Sequence, residues 1–284
     1  MECRKLAFVE ISRPRNKLSL LVLGIMAFVT SFSSDCQASQ TVELEQRFWL
    51  ADIAAHGRIK SPAWTGSIDL KKDLGFQNTD LAPMKLSWRI NENSSLYVDY
   101  FNGQYAGQTV HKQRQDFLGG LFSREVTYDV TEQLQLSYWK IGWRKYWRNL
   151  SSNKIKMGFL LDAKTVSVHG SAGVWSSIQG SSSTFASGNE AWRMTLPTVG
   201  FIVTAQPRPG TKLNMEVSGL STGSKGFTFL DYETSLEVAI GHKKNTSIVT
   251  GYRVIDYHNR RQRGGSSLDS FTLGGAFYGI KTAW

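Results

Sequence analysis

The strongest constraint on this chain is an alternation of apolar and polar residues with period two, sustained through segment after segment. Successive side chains of a strand point to opposite faces, whereas an amphipathic helix repeats every 3.6 residues, so this pattern commits the chain to β-structure. The run 211–220 sets Leu213, Met215 and Val217 against Lys212, Asn214, Glu216 and Ser218. The run 154–168 sets Ile155, Met157, Phe159 and Leu161 against Lys156, Gly158, Asp162 and Lys164. Runs 83–90 and 227–241 separate in the same way. The final segment, Leu268 to Trp284, reads as one long strand: Ala276, Tyr278, Ile280 and Thr282 share the face of Trp284, and Gly275, Phe277, Gly279 and Lys281 share the other.

Ten such segments are expected, at 41–54, 83–90, 94–104, 132–147, 154–168, 192–206, 211–220, 227–241, 246–258 and 270–284. Each is close to or above the length of about 9–11 residues with which a tilted strand crosses a bilayer, the second being slightly short. Short, turn-rich connections (91–93, 148–153, 207–210, 242–245) alternate with longer or Gly/Ser-rich ones (55–82, 105–131, 169–191, 221–226, 259–269). Short turns on one side and longer loops on the other is how transmembrane barrels are built. The expected fold is therefore all-β, an antiparallel transmembrane β-barrel of ten strands, with eight or twelve as alternatives. Residues 117–130 carry the ambiguity, as a further strand pair or as a hairpin standing above the membrane. An even count places both ends of the barrel on the periplasmic side.

A long last strand, apolar on one face and ending on an aromatic residue, resembles the carboxy-terminal insertion signal of bacterial outer-membrane β-barrel proteins. The resemblance implies residence in the outer membrane, contact with outer-membrane lipid, and recognition by the barrel-assembly machinery through the strand ending at Trp284. The alternative is a secreted sandwich or lipocalin-like barrel, in which the apolar faces would point inward.

The amino-terminal segment agrees with export. Arg4, Lys5, Arg13, Arg15 and Lys17 precede an apolar run at 18–32 and a small, polar stretch at 33–39. The run is shorter than the ~20 residues of a membrane-spanning helix, so residues 1–38 are expected to be a signal peptide cleaved near Ala38, with 39–284 as the barrel domain. A retained anchor is the alternative. Both cysteines, Cys3 and Cys36, fall in that leader, which leaves no disulfide framework and no thiol chemistry. Asp35 argues against a lipid-modified Cys36. The chain carries a net charge of +10, but its basic residues are scattered and form no long tract, which speaks against nucleic acid as a partner. Its 15 Phe, 10 Tyr and 9 Trp would suit aromatic girdles at the membrane interfaces.

In a membrane barrel the charged faces line the lumen. Those faces carry Arg47, Lys85, Arg89, Lys140, Arg144, Lys156, Lys164, Lys212, Arg253 and Lys281, and Glu43, Glu45, Asp99, Asp162, Glu216, Asp231, Glu233 and Glu237. The two signs nearly balance. An unpaired buried charge is costly and a ten-stranded barrel is narrow, so these side chains are expected to pair across a lumen that is plugged or a very narrow polar pore. The function implied is structural, or that of a narrow pore for small solutes.

Two motifs outline an enzymatic alternative. Asp256-Tyr257-His258 resembles the Asp-x-His half of the catalytic site of the omptins, ten-stranded outer-membrane proteases, but no Asp-Asp or Asp-x-Asp follows as its partner in 39–284. His169-Gly170-Ser171 resembles the His-x-Ser of the lipid A deacylases, without the Asn that follows the Ser in that motif. Both would imply a hydrolase acting on lipid A or peptides at the extracellular rim. The five histidines, His56, His111, His169, His242 and His258, are dispersed and fit no zinc spacing. No nucleotide-binding glycine pattern occurs. No metal and no cofactor are expected.

Overall fold

The computed structural model describes residues 41–60, 65–69, 71, 79–117, 122–150, 154–178, 181–223, 226–241, 245–259 and 267–284. The expected signal peptide lies outside these described residues. Thr41–Trp284 forms one compact unit.

The described elements are strands throughout. β1 (Thr41–Lys60) is followed by three shorter pieces, β2 (Thr65–Asp69), β3 (Thr79–Leu81) and β4 (Met84–Asn91). Then come β5 (Ser94–Phe117), β6 (Phe122–Leu150), β7 (Ile155–Ile178) and β8 (Ser181–Arg208). The last four are β9 (Thr211–Ser221), β10 (Phe227–Ile240), β11 (Thr246–Asn259) and β12 (Ser267–Ala283). Every neighbour pairs antiparallel, and β12 returns to pair with β1. β2, β3 and β4 all lie against β1, opposite 56–60, 49–51 and 41–46 in turn, so they share one position in the wall. Twelve elements thus occupy ten strand positions, the count expected from the alternation.

The break between β3 and β4 falls at Pro83, which has no N–H for the ladder. Its carbonyl still accepts from the Arg47 amide at 2.9 Å. At the seam, reciprocal bonds of 3.2 and 2.9 Å join the Val42 and Trp284 backbones. The tight turn between β8 and β9 uses Gly210 at φ 82°, a conformation that disfavours side chains.

The strands run well past their expected ends on one side. The segments 105–131 and 169–191, expected as long connections, are instead mostly continuations of β5, β6, β7 and β8. No additional strand pair forms there, which removes the twelve-strand alternative.

The reason these extensions escape a hydrophobicity reading is an inversion of polarity along each strand. On β1, Glu45 and Arg47 point inward while Phe48 and Leu50 point outward and are about half exposed. A few residues on, Ala51, Ile53 and Ala55 are buried inside, and Asp52 and His56 are exposed outside. On β5, Asp99 inside gives way to Phe101 and Tyr105 inside, with Asn102 and Gln104 outside. On β6, Lys140 gives way to Tyr138, Leu136 and Leu134, with Gln135 and Gln133 outside. On β11, Arg253 gives way to Ile255 and Tyr257, with Asp256 and His258 outside.

One continuous barrel therefore has two halves. In the half with the short turns the apolar residues face out, as lipid requires. In the other half they face in and form a core of the kind found in water-soluble proteins, built from Trp49, Phe101, Tyr105, Tyr138, Phe229, Tyr257, Phe271 and Leu273 among others. The outward face of β1 from Val42 to Leu50, apolar but for Gln46, spans the ~9–11 residues of a crossing strand. Outward aromatic pairs stand on the band: Tyr100 with Trp139 at 4.3 Å at its far edge, and Trp147 with Phe159 at 5.9 Å nearer the short turns.

Candidate functional site

Buried and half-buried charged side chains of the strands form three tiers of ion pairs inside the barrel. Nearest the short turns, Arg89 reaches Glu43 at 2.5 Å, Lys281 pairs with Glu237 and lies 3.8 Å from Glu43, and Lys212 lies 3.6 Å from Glu237. Lys156, on the inward face of β7 opposite Thr204, is half-buried close to the same end. In the middle tier, Arg47 donates to both oxygens of Glu233 at 2.8 Å and to Glu45 at 2.6 Å. Glu216 collects Arg144 at 2.7 Å and Lys85 at 3.4 Å, and the Arg144 guanidinium sits 4.3 Å from the Tyr97 ring centre.

The innermost tier is the driest. Arg253, 1% exposed, bonds both oxygens of Asp231 at 3.1 Å and Asp99 at 2.7 Å. Lys164, 0% exposed, lies 3.3 Å from Asp231 and 3.5 Å from Asp162, and donates to Ser218 at 2.5 Å. Lys140 lies 3.3 Å from Asp231 and 4.0 Å from Asp162. The Tyr138 hydroxyl donates to Asp231 at 2.8 Å, and that of Tyr97 donates to Asp162. Gly142 makes room for this last bond, because a Cβ there would strike the Tyr97 ring at 2.6 Å.

Aromatic rings close the network from above. Trp49, Phe101 and Tyr138 stand 5.6, 5.9 and 5.1 Å from the Arg253 guanidinium, and Phe229 stands 5.4 Å from Lys164. Cation–π contacts of this sort gain strength when water is excluded. The apolar core then fills the barrel beyond. These ring residues were not among the expected site residues. The signal that could have found them is a doublet of adjacent large apolar residues, Trp49-Leu50, Tyr100-Phe101, Tyr138-Trp139 or Val254-Ile255. Each doublet marks the point where the alternation changes face.

The two hydrolase motifs lie on the outer wall instead. His258 Nε2 is 3.1 Å from Asp256 Oδ2, and Thr272 donates to the other oxygen of Asp256 at 2.6 Å. Both side chains share the outward face of β11, away from the lumen. Across the strands Asp256 faces Leu230 and Thr272, and His258 faces Thr228 and Ser270, so no second carboxylate stands opposite the pair. His169 and Ser171 are exposed on the outward face of β7. Their cross-strand neighbours are Gln135 and Ala191 for His169, and Gln133 and Asn189 for Ser171. None of these is a carboxylate that could orient the imidazole as a general base. Among the described residues, no group of three or more His, Cys, Asp or Glu is placed to hold a metal ion.

Comparison with known proteins yields a fold. No family model matches the sequence, and no curated protein does. The outer membrane protease OmpT from Escherichia coli is similar in structure, with a TM-score of 0.55 at 10% identity, over 89% of this chain and 100% of that one. The translocator domain of the autotransporter NalP from Neisseria meningitidis gives a TM-score of 0.32 at 9% identity, over 93% and 95%. The attachment invasion locus protein Ail of Yersinia pestis, solved in complex with the heparin analogue sucrose octasulfate, gives 0.26 at 12% identity, over 86% and 99%. At such identities the likeness to OmpT is one of fold: this chain is a closed barrel of the outer-membrane β-barrel type.

Proposed function

We propose that this protein resides in the outer membrane as a sealed, non-conducting barrel with a structural role. It anchors in lipid by its lower half and carries a rigid barrel extension beyond the outer leaflet. The observation that carries this reading is the tier of Arg253, Lys164, Asp231 and Asp162, buried, mutually paired and capped by rings. A hydrated pore would leave such groups wet, and the narrow small-solute pore is correspondingly disfavoured. Purified protein in a planar bilayer is expected to give a flat current trace. Reproducible unitary conductance steps would overturn the proposal.

The hydrolase alternative finds less support. Among the described residues no acid pair faces Asp256 and His258, and no carboxylate is a cross-strand partner of His169 or Ser171. The protein is therefore expected to release neither fatty acid from lipid A nor fragments from peptides above background. Turnover that disappears on Ser171→Ala or His258→Ala would reverse that conclusion.

A further inference from the structure

Two grooves cross the outer wall on shared strands. The upper one, about 550 Å³, runs between two outward rows of side chains. Gln104, Gln135 and His169 form its membrane-side wall, and Gln133 and Ser171 its far wall. Its floor is the backbone row between them, at Tyr105, Leu134 and Gly170. It lies two outward rows beyond the Tyr100–Trp139 pair, where the surface has just turned from apolar to polar, the level of lipid headgroups. The lower groove, about 280 Å³, lies inside the apolar band between the outward rows Phe159–Phe201–Val217 and Leu161–Val199–Gly219.

Arg193 stands between the two grooves, exposed on the outward face of β8. It is six residues from Val199 on the same strand. That is about 20 Å along the strand at ~3.3 Å per residue. At a tilt of about 45° it becomes roughly 14 Å along the membrane normal, close to half of a ~30 Å hydrocarbon core. An acyl chain that follows the incline of β8 from Arg193 would thus reach the lower groove. The charges on the wall point the same way. In the outward rows of β5 to β8 that flank the upper groove, formed by Asn102, Gln104 and Ala106, by Ser137, Gln135 and Gln133, by Ser167, His169 and Ser171, and by Arg193 and Ala191, Arg193 is a cation and there is no carboxylate. Asp52, Asp80 and Asp256, outward acids among the residues whose side chains are described, lie on β1, β3 and β11.

We infer that this wall binds one molecule of an outer-leaflet glycolipid with a phosphorylated sugar headgroup. Arg193 engages phosphate, the amides of Gln104, Gln133 and Gln135 engage sugar hydroxyls, and a chain lies in the apolar groove. An amide side chain offers both a donor and an acceptor, which suits hydroxyl groups. The inference rests on the membrane placement proposed above.

The test is a titration of detergent-solubilised protein with bis-phosphorylated lipid A, with bound lipid counted by native mass spectrometry. One lipid A per barrel is expected. Arg193→Gln should weaken binding about tenfold, the loss of a charge-assisted hydrogen bond. Val199→Trp, which fills the lower groove, should weaken it as well, and lipid A stripped of its phosphates should bind the wild type as weakly as lipid A binds Arg193→Gln. Equal retention by Arg193→Gln and wild type would overturn the inference. So would equal competition by phosphatidylglycerol, which would mean that charge alone is read, or competition by inorganic phosphate, which would reassign the site to a free anion. Acyl loss from the bound lipid would replace binding by turnover. Each variant should keep the faster migration of unboiled over boiled protein that marks a closed barrel. Loss of that shift in the wild type would strike the barrel reading itself rather than the lipid site.

Discussion

Replacing Arg253 by leucine is expected to destabilise the barrel by about 3–5 kcal/mol, the cost of removing one partner from a buried ion pair. The effect is large because Arg253 serves two carboxylates at once, Asp231 and Asp99, and all three groups are at most 2% exposed. Asp231 keeps Lys140 and Lys164 at 3.3 Å, so the heavier loss falls on Asp99. Adding Asp99→Asn to Arg253→Leu should therefore recover part of the stability, although the double variant has fewer ionic contacts than either parent. Urea unfolding in lipid vesicles, followed by tryptophan fluorescence, reads both changes. An unchanged midpoint for Arg253→Leu would show that water reaches the tier, and with it the sealed lumen would fall.

An arginine introduced on the outer wall is expected to act in opposite ways at two heights. At position 199, Val199→Arg puts a charge on the lipid face inside the apolar band, at a cost of about 2–4 kcal/mol near the midplane. At position 135, Gln135→Arg occupies the same outward face beyond the Tyr100–Trp139 pair, where the cost falls to roughly 0–1 kcal/mol. Both side chains are exposed, so neither substitution disturbs the packed interior. The same vesicle unfolding assay separates them. Equal penalties at the two positions would place both in lipid, or neither, and would remove the division of the barrel into two halves.

Much of the architecture is legible in the residues. The runs at 211–220 and 227–241 coincide closely with β9 and β10, because alternation and tight turns jointly define a hairpin. The inward parity of Lys85, Asp162, Glu216 and Glu237 is equally readable, since a charge in contact with lipid is too costly to leave the choice of face open. The extensions were harder to see. In β7 the residues from Ser167 to Ile178 alternate small and polar side chains weakly, and the register slips at a bulge between Val174 and Trp175. In β5 the residues beyond Tyr100 keep period two but exchange faces, and a search for an outward apolar stripe loses the strand there. The outer-wall grooves were invisible for a related reason. Gln104, Gln135 and His169 are 31 and 34 residues apart, and only the pairing registers bring them into one row.

The order of residues alone dictates the class of fold and the charged face of the strands where they cross the membrane, because both follow from local periodicity and turn chemistry; it leaves the number of strand positions between eight and twelve, and the closed sheet makes it ten. Which charges meet is decided only when the sheet closes. Arg47 and Glu233 are 186 residues apart, and Arg253 and Asp99 are 154 apart. Their pairing depends on how far the register staggers around the closed wall, a property of all ten strands together. The height at which lipid ends is likewise settled in three dimensions. Period two tells which residues share a face and is silent on what that face touches. In the closed barrel, the same alternation turns apolar side chains towards lipid at Leu50 and towards a dry core at Ile53.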